Sequence, residues 1–291
     1  MKDIQVSGSM FFKTKDHDLE TLIIGSDEGR SAIIMLPSLG CHADFCFDES
    51  ISGLSREHTL YLINHPNHGF SAGSLRVEPL IDSISEVARK LGERHDFVFG
   101  LGHSFGSFVL SGLSREYIDG LVLIGMPLNL GDTKIANTFG WIGDLPYPVA
   151  RIIFQLYDKT RLLLHERYRK SNIPYRASSD NCDAYFGAIK IDQNVFEDLK
   201  NLVRDHDKFI AYHNEDVPVS CLIYGELDDR LGYDQEGRMK VFRCLPEHSQ
   251  LLKLVSGADH NLNINKRTGR IAFLESGVLT NIVKFYRERF N

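Results

Sequence analysis

A serine flanked by two glycines, Gly102-His103-Ser104-Phe105-Gly106, is the segment of this 291-residue chain best suited to covalent chemistry. A serine hydroxyl is a poor nucleophile at neutral pH. It needs a positioned base and a fixed, exposed geometry before it can attack a carbonyl. The surrounding pattern supplies the geometry. Phe97–Leu101 is an apolar run that reads as a strand, Ser104 stands at the apex of a turn, and Phe108–Leu113 continues as an apolar helix. Gly102 and Gly106 remove side chains where the chain doubles back. The first amides of the following helix face the same spot and favour a developing negative charge there. Without these flanks the pattern would be a glycine-rich turn with an incidental serine.

A base and an acid must lie elsewhere in the sequence. Of twelve histidines, His260 stands out, because Gly257-Ala258-Asp259-His260 follows the apolar run Leu251–Val255 and precedes the closing helical pattern. His103 adjoins Ser104, but neighbours at an apex point apart, so its ring is expected beneath the turn. His68 and His42 lie on loops near the same edge and are the alternatives. The acid must orient the imidazole and stabilise the imidazolium that forms on proton transfer. Gly225-Glu226-Leu227-Asp228-Asp229, after the strand ending at Tyr224, offers Asp228, Asp229 and Glu226. Asp259 is expected to fix its own loop. Cys41-His42-Ala43-Asp44-Phe45-Cys46 contains metal-ligand types, but their spacing matches no closed four-ligand site. No metal or cofactor is expected.

The elements that position these residues alternate. Residues 3–12 and 20–25 read as an antiparallel pair, and Ser31–Leu36 and Thr59–Ile63 as short buried strands. Leu80, Ile81, Ile84, Val87, Ala88 and Leu91 recur at helical spacing. Strands follow at Phe97–Leu101 and Leu121–Ile124. The alternation returns at Val217–Tyr224, with a helix near 234–244, a strand at Leu251–Val255 and a closing helix at about 271–289. This order predicts a parallel sheet covered on both faces. Between Asn129 and Asp216 it breaks into a mostly helical pattern rich in aromatic residues, expected to be an insertion between two strands.

The serine turn, its flanks, and the order serine, acid, histidine resemble the α/β-hydrolase superfamily over essentially the whole chain. The segment Asn64-His65-Pro66-Asn67-His68-Gly69-Phe70-Ser71 is similar to that family's D-x-R-G-H-G-x-S loop after the fourth strand. It keeps His68, Gly69 and Ser71, with Pro66-Asn67 in place of the usual Arg-Gly. The resemblance implies a mostly parallel, doubly wound sheet of eight strands, with a helical cap inserted after the sixth. The core would be 1–130 and 216–291, and the cap 131–215. It also implies Ser104 as nucleophile, His260 as base and Asp228 at the acid position of G-x-x-D, with Asp229 the near rival. The amides of Phe105 and Leu39 would form the oxyanion hole, although Pro37-Ser38 replaces the family's usual His-Gly.

The expected chemistry is hydrolysis of a carboxylic ester, and the aromatic cap suggests an apolar acyl or aryl group. Thioesterases, acyltransferases, lactonases and carbon–carbon bond hydrolases would carry the same three residues. Branches with an aspartate nucleophile are disfavoured by Ser104. A non-catalytic binding module is the contrasting class, and the presence of all three residues speaks against it. A net charge of −6 gives no sign of a nucleic-acid surface. The five cysteines are scattered, the first residues lack a signal-peptide pattern, and no run approaches the ~20 apolar residues of a membrane span. The expected partner is therefore a small apolar substrate, in the cytoplasm. The apolar stripe within Val149–Lys170 is expected to pack on its own core or line a pocket rather than lie on a membrane. The sequence leaves the oligomeric state open.

Overall fold

The computed structural model describes residues 6–25, 30–127, 130, 133, 140–165, 168–169, 183–204, 218–228, 236, 243, 252–264, 270–274 and 276–288. The first described elements are β1 (Val6–Lys13) and β2 (His17–Ile24), which pair antiparallel as expected for the two runs 3–12 and 20–25. The short apolar runs become β3 (Ser31–Leu36), β4 (Thr59–Ile63), β6 (Phe97–His103) and β7 (Gly120–Ile124). A two-residue strand, β5 (Ala72–Gly73), pairs with β2 at the edge. The sheet is completed by β10 (Ser220–Gly225) and β11 (Leu252–Val255). Eight strands run in the order β1-β2-β4-β3-β6-β7-β10-β11, with β5 off this path. From β4 to β11 every pairing is parallel.

Alternation within the strands sends successive side chains to opposite faces. Ile34, Leu36, Leu121 and Leu123 pack with Leu80, Ile84, Val87 and Leu91 of α2 (Val77–Gly92) and with Val109 and Leu110 of α3 (Phe105–Leu110). Ile33, Met35, Phe99, Leu101, Val122 and Ile124 face the other way. They meet Phe47 and Leu54 of α1 (Ala43–Leu54) and Ile282, Phe285 and Tyr286 of α6 (Val278–Arg287). The strands are thus buried on both faces, which is why they read as continuous apolar runs.

After β7 the chain leaves the sheet and returns at β10. The described part of this excursion holds α4 (Tyr147–Leu164), the hairpin β8 (Tyr185–Phe186) with β9 (Ile189–Lys190), and α5 (Gln193–Arg204). It packs around a cluster of Ile142, Phe154, Ile189, Val195, Phe196 and Leu199 that also takes in Leu75, with Leu39 against it. The hairpin was not legible in a segment read as mostly helical. The helix α1 follows β3 where the sequence was assigned no element, and the closing helix begins at Val278 rather than near 271, since Ile271 and Phe273 belong to a buried loop. The helix expected near 234–244 lies outside the described residues.

The order of strands places the chemistry. β4 lies on one side of β3 and β6 on the other, so chain direction across the sheet reverses at β3. Loops leaving the carboxyl ends of adjacent strands at such a switch diverge and leave a crevice. Leu36 and Gly102 are register partners at that edge. The loop after β3 and the serine turn after β6 therefore start side by side.

Candidate active site

Ser104 takes a backbone conformation rare for a side-chain-bearing residue, with φ 53° and ψ −114°. Such a conformation persists only where its surroundings over-determine it. Here the Ser104 N–H donates to the Ile124 carbonyl at 2.8 Å, and the Ser104 carbonyl accepts from the Phe108 N–H at 3.0 Å. Ser107 Oγ donates to the same Ile124 carbonyl and accepts the Ile124 N–H, both at 3.0 Å, pinning the turn to β7. The two glycines are required by space. A Cβ on Gly106 would stand 2.1 Å from the Leu36 carbonyl oxygen, and one on Gly102 would stand 2.6 Å from the Ser107 backbone.

Asp228 and His260 leave the carboxyl ends of β10 and β11 and meet. The His260 Nδ1–H donates to Asp228 Oδ2 at 2.7 Å, with both side chains almost fully buried. Asp228 is thus the acid candidate that meets the histidine; Asp229 lies outside the described residues. Glu226 points elsewhere and accepts from Ser256 Oγ and the Gly257 N–H. Asp259 behaves as a loop-fixing residue, its Oδ1 accepting from the amides of Asn261 and Asn263. The His260 ring lies over Gly125, the residue after the carbonyl that holds Ser104. Ser104 Oγ makes no hydrogen bond to His260 in this structure. Ligand-free sites often keep this contact loose until substrate arrives.

His103 packs under the turn as expected, but its partner was not foreseen. Its Nε2–H donates to the His260 backbone carbonyl at 3.1 Å, and the two rings lie 4.9 Å apart. The Cys46 thiol sits 3.6 Å from His103 Nδ1. Ser104's sequence neighbour thereby steadies the loop that carries His260. No signal in a single sequence marks that contact.

The loop after β3 is the other wall. Ser38–Cys41 is a β-turn closed by the Cys41 N–H on the Ser38 carbonyl at 3.1 Å, with Gly40 at φ 80°. Leu39 is partly buried, and among the described residues neither its amide nor that of Phe105 has a hydrogen-bond acceptor. The Pro37 carbonyl accepts from the Gly106 N–H at 3.1 Å and from His65 Nε2–H at 2.7 Å. The Gly40 N–H donates to His68 Nε2 at 2.9 Å. Burial lowers His65 to about 4 and His68 to about 3, so both are neutral imidazoles. His42 is different. Burial alone would lower it, but Asp44 and Glu20 beside it raise it to about 9. Its ring joins α1 to β2 through Asp44 and Glu20, and Asn64 Nδ2 against its Nε2 completes the cluster.

This architecture is the α/β-hydrolase fold. Its solved neighbours include a monoacylglycerol lipase from Paleococcus ferrophilus (TM-score 0.60, 16% identity, 93% of this chain and 99% of that one). A thermophilic esterase from Thermogutta terrifontis matches at TM-score 0.64 and 12% identity, over 99% of this chain and 100% of its own. A soluble variant of monoglyceride lipase from Saccharomyces cerevisiae, solved with a substrate analogue, matches at TM-score 0.61 and 13% identity, over 98% and 96%. No protein-family model and no curated protein matches the sequence. Among the described residues, no helix is long and apolar enough to cross a membrane.

Proposed function

We propose that this chain is a serine hydrolase that cleaves carboxylic esters bearing an apolar acyl or aryl group. The observation that carries the reading is the buried Asp228–His260 pair, whose ring lies over Gly125 beside the strained Ser104 turn. In the forward step His260 Nε2 takes the Ser104 proton as Oγ attacks the ester carbonyl, and Asp228 stabilises the resulting imidazolium. The carbonyl oxygen becomes an oxyanion on the amides of Phe105 and Leu39. Collapse breaks the bond to the alcohol, which leaves with the proton from His260. Water then attacks the acyl-enzyme through the same base and releases the acid.

Two features support an apolar substrate group. The segment 131–215 is read as a cap, and it brings Phe186 against Gly40 of the oxyanion loop. Tyr157 of α4 stacks on Phe186 with ring centroids 6.4 Å apart. The lipases and esterases among the structural neighbours point the same way, as proteins that share the fold. The scattered spacing of the five cysteines suits a reducing compartment such as the cytoplasm.

The test is turnover of p-nitrophenyl esters of graded chain length, alongside labelling by a fluorophosphonate probe. Ser104→Ala is expected to abolish both. Unchanged turnover in that variant, or no labelling of the unmodified protein, would remove the assignment.

A further inference from the structure

The excursion between β7 and β10 reaches the oxyanion loop itself. Gly187, at φ 63°, lies so close that a Cβ there would stand 2.2 Å from the Gly40 carbonyl oxygen. That oxygen accepts the Ala188 N–H at 2.9 Å. On its other side Gly40 donates its own N–H to His68 Nε2 at 2.9 Å. His68 in turn forms a β-bridge with Ile189 of the same hairpin. Gly40, His68, Ile189 and Ala188 thus close a ring of contacts around one peptide. We propose that His68 and the β8–β9 hairpin position the second oxyanion donor by holding Gly40 from both sides, so that the Leu39 amide stays in place. This rests on the serine-hydrolase reading above.

The turn geometry gives the physical reason. Leu39 is absent from the residues with positive φ, so with Gly40 at φ 80° the turn Ser38–Cys41 is type II. Types I and II differ by a flip of the central peptide, here Leu39–Gly40, which rotates the Gly40 N–H and the Leu39 carbonyl. The Leu39 N–H lies in the preceding peptide and is held indirectly, through the turn that the central peptide shapes. The His68 lone pair on Nε2 rewards one orientation of that peptide, since a flip would turn the Gly40 N–H away from it. His68 can accept there because its proton is on Nδ1, donating to the Pro66 carbonyl at 2.9 Å. Burial keeps the ring uncharged, with a pKa of about 3. The hairpin's grip on the Gly40 carbonyl blocks the turn from sliding outward. His68 touches no reacting atom in this scheme and acts through Gly40.

The experiment compares His68→Leu, His68→Gln and Gly187→Ala on a p-nitrophenyl ester, with Ser104→Ala as blank and circular dichroism to confirm folding. Loss of one oxyanion donor costs roughly a hundredfold or more in kcat, so its misplacement should cost about tenfold to a hundredfold. Leu at position 68 should show that fall in kcat with KM within about threefold. Gln, whose Oε1 can accept the Gly40 N–H, should recover most of it. Gly187→Ala should lower kcat similarly without altering His68, and it decides the matter if the Leu variant does not fold. A purely structural role would lower the melting temperature and leave kcat per folded molecule unchanged. That result, a Gln variant as impaired as Leu, or kcat within about twofold of the parent in Gly187→Ala, would overturn the proposal. If Ser104→Ala retains turnover, the underlying reading fails instead.

Discussion

Stability should peak near neutral to slightly acidic pH and fall on both sides, because the fold buries histidines of two opposite kinds. His58 and His65 are each lowered from 6.5 to about 4, and His68 to about 3, with burial the leading cause in all three. As pH drops below 6.5 the unfolded chain protonates these rings while the folded chain does not. Unfolding then takes up protons, and acid favours it. Each ring contributes about 1.4 kcal/mol per pH unit over that interval. By a pH of about 5 the three together remove about 6 kcal/mol, which is comparable to a modest domain's whole stability. His42 acts in the opposite sense. Its folded value is raised to about 9, so its contribution is complete below 6.5 and is lost as pH climbs through 9. That limb amounts to about 3 kcal/mol. Glu20, held below its ordinary value by His42, the Phe70 amide and Asn64 against the effect of burial, contributes above 4.5 and adds to the loss in stronger acid. Urea midpoints followed by far-ultraviolet circular dichroism from about pH 5 to pH 9.5 would trace the curve. His58→Gln, on the opposite face of the sheet from the helix α2, should shorten the acid limb by about a third. A midpoint that stays level between pH 7 and pH 5, or an acid limb unchanged in His58→Gln, would refute the reasoning.

Two predictions concern the proposed chemistry. Asp228→Asn keeps the shape of the acid but no longer favours the proton on His260 Nδ1, and kcat should fall by about 10³–10⁴ with folding intact. Ester kinetics read this directly, and a loss under tenfold would remove Asp228 from its role. Gly125→Ala would place a Cβ 3.0 Å from His260 Cε1 and 3.1 Å from Nδ1. The ring must then shift by a few tenths of an ångström, so kcat should drop by about tenfold to a hundredfold. The left-handed backbone adds a stability cost of about 1–2 kcal/mol, visible as a lower melting temperature. Parent-like kcat would show that the ring sits loosely enough to need no such fit.

What the sequence could show was whatever depends on local periodicity or on a strained turn. β3, β4 and β7 were legible because strands buried on both faces must be apolar throughout. α2 was legible from Leu80, Ile84, Val87 and Leu91, all on one stripe. The serine turn announced itself through glycines that only close backbone approach requires. α1 was missed because its polar opening, from His42 to Asp44, takes its support from elsewhere. The Ala43 N–H donates to Asn64 Oδ1, and His42 pairs with Glu20 of β2. The hairpin was missed because two-residue strands carry no periodicity; its order comes from contacts with Gly40 and His68. Similarly, the pairing of His103 with the His260 carbonyl spans 157 residues and leaves no local trace.

The described surroundings of the rival histidines also bear on which one serves as base. A general base must take up a proton and return it, so its site has to tolerate both charge states. His42 lies between two carboxylates, Glu20 and Asp44, which raise its pKa to about 9 and so favour its charged form. Among the described residues, His68 hydrogen-bonds to backbone groups, the Gly40 amide and the Pro66 carbonyl, packs edge-on against the His65 ring, and is held neutral. His260 alone of the three faces a single buried carboxylate, through Nδ1, which leaves Nε2 for the hydroxyl of Ser104. That division of environments, rather than nearness to the serine in sequence, favours His260 as the base. It also assigns the family-like His68 a different task, holding the loop on which the oxyanion would rest.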